Sequence, residues 1–201
     1  MIAVSNRFTA AQRLLHWSMA ICIIAMFFIG VGMVSTVMPK YVPLLATHKT
    51  LGIAILVLAL LRLAVRARSG APPLPADLPV PMRLAAHLSH YGLYGLMFAM
   101  PLLGWAMLSA GAYPVVLYGG IRLPAIVPRS DVLHTLLWNA HYYLAFAFFA
   151  LVLTHIAAAL FHALVRRDGV FEAMSPIGSE IGTEAAPWTD GEEGPVSTRK
   201  A

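Results

Sequence analysis

Four long stretches of apolar sequence, nearly free of charged residues, dominate this chain and limit what it can fold into. They comprise residues 14–39, residues 44–65, a third stretch that begins near residue 84, and residues 132–165. Because a helix needs about 20 apolar residues to cross the hydrocarbon core of a bilayer, each stretch is long enough to span it. With 59% hydrophobic and 11% charged residues, the chain lacks the polar side chains that a soluble surface requires. The sequence therefore predicts an all-α, integral membrane four-helix bundle.

The basic residues that flank these stretches predict how the bundle is oriented. Cytoplasmic segments of membrane proteins carry an excess of Lys and Arg. With a cytoplasmic N-terminus, eight arginines fall on the inner side and four basic residues on the outer side, so we expect N-in and C-in. Because these charges lie at span ends rather than along one face, the net charge of +5 does not indicate a nucleic-acid partner. The inner residues are Arg7, Arg13, Arg62, Arg66, Arg68, Arg83, Arg166 and Arg167, and the outer ones are Lys40, Lys49, Arg122 and Arg129.

The connecting segments differ in composition. Residues 38–43 form a short outer link, and the proline-rich residues 69–81 are expected to form an extended inner linker. Residues 110–131 contain several Gly and Pro residues and are long enough for an ordered cap over the outer face or for a disordered loop. Beyond Met174, Gly, Glu, Ser, Thr and Pro dominate. We therefore expect a membrane domain over residues 7–176 and a disordered cytoplasmic tail over residues 177–201.

The eight histidines, all in or beside the apolar stretches, are the main candidates for chemistry. Ionisable side chains inside a membrane are energetically costly, and they often mark functional sites. His141 and His155 lie fourteen residues apart in the fourth stretch. At about 100° and 1.5 Å per residue, they face within about 40° of each other at levels about 21 Å apart. One helix therefore presents two histidines to the same interior groove at opposite depths.

Other helices supply a histidine at each of these depths. His16, at the inner end of the first stretch, matches His155, and His48, near the outer end of the second, matches His141. Because two axial imidazoles clamp a low-spin b-type haem, the two pairs predict two haem sites with these four histidines as iron ligands. The alternative is that each histidine only forms hydrogen bonds between helices. With the single cysteine Cys22, the chain has no CxxCH attachment motif, so its haems would be held non-covalently.

The other four histidines allow several interpretations. His87 and His90 share a face at the inner start of the third stretch, where they could contact haem propionates or a quinone carbonyl. His162, seven residues after His155, lies on nearly the same face and is a candidate proton relay. For these three, a plain role as a polar residue at the membrane interface is an equal alternative. His134 is expected in a solvated loop or at a helix start.

Four segments of this sequence resemble the prokaryotic cytochrome b561 family. They are RLLHW at residues 13–17, THKTLG at residues 47–52, AHLSH at residues 86–90 and LTHIAA at residues 153–158. The order of the segments over four spans is more specific than any one of them, and the resemblance covers about residues 7–176. It implies a multi-pass protein of the bacterial cytoplasmic (inner) membrane with two b haems, whose ligands match His16, His48, His141 and His155. The outer loop before His141 and the tail after residue 176 differ from the family pattern.

The resemblance also implies a set of activities. Similar proteins exchange electrons with ubiquinone, at least one oxidises superoxide at the outer face, and related cytochromes are membrane subunits of hydrogenases and dehydrogenases. We expect electron transfer to or from quinone, with superoxide:ubiquinone oxidoreductase activity as one candidate. The alternative is an electron-conducting membrane anchor for a redox partner subunit. A haem-free transporter or a zinc-binding channel is a more distant alternative, favoured only by Pro101 as a helix break.

Two groups of residues could support such a function or serve ordinary structural roles. Three glycines in the spans could make room for a porphyrin or for plain helix contacts. The four outer basic residues could attract superoxide electrostatically or only anchor the membrane interface. The glycines are Gly52, Gly92 and Gly104.

Overall fold

Four long helices make up most of the computed structural model, which describes residues 7–37 and 39–176. Each helix is long and apolar enough to cross a membrane. The all-α four-helix membrane fold predicted from the apolar stretches is therefore confirmed. The predicted tail over residues 177–201 lies outside the described residues. The helices are α1 (Ala10–Val34), α2 (Tyr41–Ser69), α3 (Val80–Ala110) and α4 (Asp131–Phe161).

The helix ends follow local sequence signals. Thr9 caps α1, because its side chain accepts a hydrogen bond from the backbone N–H of Gln12 while the Gln12 side chain accepts one from the backbone of Thr9. Pro43 and Pro81 lie in the first turns of α2 and α3, where the missing N–H removes no helical hydrogen bond. In contrast, Pro101 lies inside α3, which continues through it to Ala110.

The four helices pack as two hairpins. Close backbone contacts join α1 to α2 and α3 to α4, and α2 also packs on α3. Between α1 and α4 the contact is made by long side chains: the ring of Phe27 lies 5.6 Å from that of Phe148 and 5.3 Å from that of Phe149. The backbones of α1 and α4 therefore lie further apart than those within each hairpin.

A small apolar core occupies the middle of the bundle. It draws side chains from all four helices, and further half-buried apolar residues pack around it. Many other large apolar side chains are exposed on the outside of the bundle, where lipid replaces water as the solvent. The buried members are Met19, Ile23, Ile55, Ala59, Met97 and Phe148.

The segment between α3 and α4 forms an ordered cap at the end of the bundle. Its two-residue strands pair antiparallel, with Val115 opposite Leu123. The expectation of an all-α chain did not include these strands, because two residues are too few to produce an alternating sequence pattern. The strands are β1 (Val115–Val116) and β2 (Arg122–Leu123), and a 3-10 turn lies between them at Tyr118–Gly120.

Hydrogen bonds attach this cap to the helices below it. The hydroxyl of Tyr118 lies 2.6 Å from Oγ1 of Thr47, and its backbone N–H donates to Oγ1 of Thr50 at 3.1 Å. On the other side, Nε1 of Trp105 donates to the carbonyl of Pro124 at 2.8 Å. Because Thr47 and Thr50 flank His48 in the chain, the cap is fixed next to this histidine.

At the opposite end, the chain folds back on its beginning. A π-helical turn (His162–Arg166) follows α4 and leads to the short helix α5 (Val170–Met174). The backbone N–H of Phe8 donates to the carbonyl of Ala173 at 3.1 Å, and Nε1 of Trp17 donates to the carbonyl of Met174 at 2.9 Å. The first and last described segments are therefore in contact.

Asp168 organises the turn between α4 and α5. Its carboxylate accepts a hydrogen bond from Nε of Arg166 at 2.8 Å and lies 2.8 Å from Nδ1 of His162. Burial raises the pKa of Asp168, but the hydrogen bonds from Arg166, His162 and the Val170 backbone outweigh this and hold the pKa below its ordinary value of 3.8. Arg166 also pairs with Asp77 in the inner link at 2.8 Å.

Candidate functional site

The structure brings His48 and His141 together beneath the cap. His48 lies on α2 and His141 on α4, and their ring centroids are 6.1 Å apart with an angle of 63° between the ring planes. Nδ1 of each ring is buried without a hydrogen-bond partner. We call these two residues the outer pair.

A glycine on α3 makes room for the outer pair. A Cβ atom built on Gly104 would lie 3.4 Å from Cε1 and 3.7 Å from Nδ1 of His141. The ring therefore lies directly against the backbone of α3, and a larger side chain at residue 104 would displace it. Of the three glycines proposed to accommodate a porphyrin, Gly104 is the one that contacts a paired histidine; Gly52 faces Met26 and Gly92 faces Leu151.

The inner pair, His16 and His155, has nearly the same geometry. These residues lie on α1 and α4, with ring centroids 6.2 Å apart and an interplanar angle of 67°. The ring of Trp17 packs edge-on against His16 at 5.7 Å, and the same Trp17 side chain holds Met174 of α5. The hydrogen-bonded fold-back of the chain therefore supports the inner pair from the side.

His90 gives the inner pair a third imidazole. Its ring lies 5.6 Å from that of His155, closer than the ring of His16, but its side chain remains exposed at the surface of the bundle. His87, three residues earlier on α3, is also exposed. The two histidine pairs therefore differ, because the inner one has an additional polar side chain on α3 where the outer one has Gly104.

The separation within each pair suits two ligands on one metal ion. Because an imidazole nitrogen bonds a transition-metal ion at about 2.0–2.1 Å and the ring centre lies about 1.1 Å further back, two imidazoles on opposite sides of one ion have centroids about 6 Å apart. The observed separations of 6.1 and 6.2 Å agree with this value. The unpartnered Nδ1 atoms of the outer pair and the wider spacing between α1 and α4 also fit a flat, coordinated group such as haem.

An apolar layer separates the two pairs. Phe148 lies seven residues from both His141 and His155, halfway along α4, and it is buried in the central core. Phe27 of α1 contacts it from the opposite hairpin. Over fourteen residues the rise along α4 is about 21 Å, so the two pairs occupy opposite halves of the membrane thickness.

The remaining histidines lie outside both pairs. His134, in the first turn of α4, is half-buried, and its Nδ1 lies 2.8 Å from the carbonyl of Met107. It is therefore at a helix start, as expected, but it is packed against α3 rather than in a solvated loop. His162 contacts Asp168 at 2.8 Å in the turn after α4. This carboxylate gives His162 a partner for proton exchange, although neither residue joins the inner pair.

The sequence did not indicate the position of one polar pair near the inner histidines. Nε of Arg62, on α2, donates to the hydroxyl of Tyr94, on α3, at 3.1 Å, and its guanidinium carbon lies 5.9 Å from the centroid of the Tyr94 ring. The sequence alone places Arg62 only among the basic residues at span ends. The feature that could have indicated a buried position is its charge within an apolar stretch, seven residues before α2 ends at Ser69.

Comparisons with known proteins identify the family of this chain. A family model described as prokaryotic cytochrome b561 matches residues 7–176. Cytochrome b561 homolog 1 of Escherichia coli (strain K12) is 30% identical over 179 residues, which cover 85% of this chain and 98% of the relative. Cytochrome b561 homolog 2 of the same organism is 29% identical over 172 residues, or 84% of this chain and 91% of the relative. A protein of Yersinia pestis named probable superoxide oxidase CybB is 33% identical over 130 residues, 64% of this chain and 73% of its own length.

Proposed function

The chain belongs to the prokaryotic cytochrome b561 family of membrane electron-transfer proteins, and on that premise we propose that it carries electrons through two non-covalently bound haem b groups. The outer pair, His48 and His141, would hold one haem, and the inner pair, His16 and His155, the other. The observation that carries the proposal is that the two histidine pairs have matching ring separations. Each pair has one member on α4, and these two members lie at different levels of that helix.

Each pair of imidazoles determines what its site can do. When bound, haem supplies one-electron chemistry through the ferric and ferrous states of its iron. The two imidazoles of each pair would hold the haem iron between them, and a site held by two protein nitrogens favours electron transfer over oxygen chemistry. The apolar core around Phe148 excludes water between the pairs, and it would keep both sites in a medium of low polarity.

We propose a quinone, with ubiquinone the first candidate, as one redox partner. His87 and His90 remain the candidate contacts for a quinone carbonyl or for haem propionates, because both are exposed on the surface of α3 and His90 lies beside His155. The protein would act in the bacterial cytoplasmic membrane as a multi-pass protein surrounded by lipid. A donor hydrogen bond from either imidazole would orient a quinone carbonyl.

Superoxide is the candidate substrate at the outer face. The name of the Yersinia pestis relative supports it, and Lys49 directly follows His48 of the outer pair. Positive charge near the outer pair would raise the local concentration of an anion. The rate at which superoxide reduces the haem should then fall as ionic strength rises, and it should also fall after Lys49 and Arg129 are neutralised. A reaction insensitive to both changes would exclude this steering.

The second candidate function is an electron-conducting anchor for a dehydrogenase or hydrogenase subunit. The two functions differ in what the purified chain does alone. Reduction by a quinol analogue or by superoxide without any other subunit favours the free-standing carrier. Strict dependence on a soluble partner subunit would favour the anchor.

The decisive experiment measures haem content and its dependence on each histidine. We expect the purified protein to show a b-type reduced-minus-oxidised spectrum and two haems per chain in the pyridine haemochrome assay. Alanine replacement of either member of a pair should remove one haem and leave the other, while the control His134→Ala keeps both. A colourless wild-type protein expressed with ample haem, or two haems retained in His155→Ala, would contradict the assignment.

A further inference from the structure

Arg62 is a cation inside the membrane-spanning part of the bundle whose charge is only partly accommodated by the protein. It lies seven residues, or about 10 Å, inside the end of α2. Its Nε donates to the Tyr94 hydroxyl, but its Nη1 is buried from solvent and has no hydrogen-bond partner. An unsatisfied buried donor on a charged group is unfavourable unless a further partner is bound.

The position of Arg62 points it toward the inner pair. It follows Ala59 by three residues, so it shares a helix face with the fully buried Ala59, which packs in the core with Met19 of α1. Met19 in turn lies three residues after His16. Tyr94 follows His90 by four residues and shares its face of α3.

No described protein carboxylate neutralises this charge. Within residues 7–37 and 39–176 the acidic side chains are four in number, and all lie outside the interior of the spans. Two of them already pair with Arg166 at the inner end of the bundle. The four are Asp77, Asp131, Asp168 and Glu172.

We propose that Arg62, oriented by Tyr94, binds a carboxylate of the tetrapyrrole at the inner pair, that is, a haem propionate. This inference rests on the proposed haem function and assigns a residue that recognises the edge of the cofactor rather than its iron. A carboxylate fits better than a neutral quinone carbonyl, because it neutralises the cation and can accept two parallel N–H bonds from the guanidinium group. His90, whose ring lies 5.6 Å from that of His155, is a candidate second donor to the same carboxylate.

The test compares pH dependence of the haem midpoint potentials in the intact holoprotein. With Arg62 present, the propionate stays ionised in both redox states, so the inner midpoint should vary little with pH. In Arg62→Gln the carboxylate loses its cation, and reduction of the iron raises its affinity for a proton. We therefore expect the inner midpoint to fall as pH rises in this variant, and redox difference infrared spectra to show a protonated carboxyl on reduction. The inner haem is identified by its absence from His155→Ala.

Matched variants separate this role from a general loss of charge. Arg68→Gln removes the same charge from the exposed end of the same helix and should keep the wild-type pH profile. Tyr94→Phe keeps the charge of Arg62 but removes its hydrogen bond to the Tyr94 hydroxyl. We expect the inner midpoint to fall with rising pH in this variant too, but less steeply than in Arg62→Gln. If Arg62→Gln loses the inner haem altogether, Tyr94→Phe decides: a new pH dependence supports the proposal, and a wild-type profile overturns it.

The remaining outcomes distinguish this inference from the function on which it rests. Two haems with wild-type pH profiles in Arg62→Gln would overturn the propionate assignment and leave the haem function intact. The same profiles combined with slower reduction by a quinol analogue would assign Arg62 to quinone instead. A wild-type protein without haem would refute the function itself.

Discussion

At the scale of single residues, the outer pair depends on the absence of a side chain at residue 104. The ring of His141 lies against α3, and a Cβ atom added at residue 104 would be in ordinary van der Waals contact with it. The histidine thus has its orientation fixed by backbone, which cannot move aside as a flexible side chain does. We therefore expect side chains larger than alanine at residue 104 to disturb the proposed haem site at the outer pair.

A graded series at Gly104 tests this dependence. Gly104→Ala should keep both haems, because its Cβ meets His141 at 3.4 Å. Gly104→Leu should displace the ring, cost about 1–3 kcal/mol of stability by overpacking, and lose the outer haem while the inner one remains. Haem stoichiometry and thermal unfolding measure both effects. Gly95→Leu is the control on the same helix, since no atom lies within 4 Å of its Cβ; retention of two haems in Gly104→Leu would refute the packing argument.

Residue spacing in the sequence predicted which histidines meet, but not everything around them. The fourteen-residue interval between His141 and His155 fixed a shared helix face, and the structure does bring each to the expected partner. The approach of His90 to His155 and the hydrogen bond from Arg62 to Tyr94 could not be predicted. Both depend on the rotation of α2 and α3 about their axes, which spacing within one helix does not determine.

At the scale of elements, the inner end of the bundle is closed by contacts distant in sequence. α5 packs on the start of α1, and Asp168 ties the π-helical turn to Arg166 and His162. This helix could not be predicted from the sequence, because five residues are too few for a helical pattern. The two short strands at the outer end could not be predicted for the same reason. The length and composition of the whole segment, residues 110–131, did allow an ordered cap.

The lowered pKa of Asp168 predicts a pH-dependent contribution to stability. Because its folded pKa lies below the ordinary value of 3.8, ionised Asp168 stabilises the fold above that value, and this contribution is lost as pH falls through the lowered pKa. We expect wild type to unfold at a higher temperature than Asp168→Asn at pH 7 and at pH 5. The difference should shrink only in more acidic solution. A difference unchanged down to pH 2 would show that ionisation is not its cause.

At the scale of the whole molecule, the orientation in the membrane remains a prediction. Four crossings place both ends of the described chain on one side, and the eight-to-four distribution of basic residues favours the cytoplasm for that side. The number of helices and their approximate limits could be predicted because lipid imposes a minimum apolar length. Orientation is different, since both directions bury the same apolar surface and only the flanking charges distinguish them.

Reporter fusions check this orientation. A green fluorescent protein fused after Ala201 should fluoresce, and alkaline phosphatase at the same position should be inactive, because both termini are expected inside. Phosphatase inserted into the cap after Gly120 should be active. The opposite pattern at both positions would invert the topology, although the two histidine pairs would stay matched in depth.

The place of α4 in the chain has a consequence for how the protein is made. This helix contributes one member of each histidine pair, yet among the four described spans it is the last to leave the ribosome. The nascent chain can therefore insert α1, α2 and α3 in the membrane and still contain no complete histidine pair. If the two pairs bind haem as proposed, haem binding must follow the insertion of α4, and a chain truncated before α4 would have no bis-histidine site at either level.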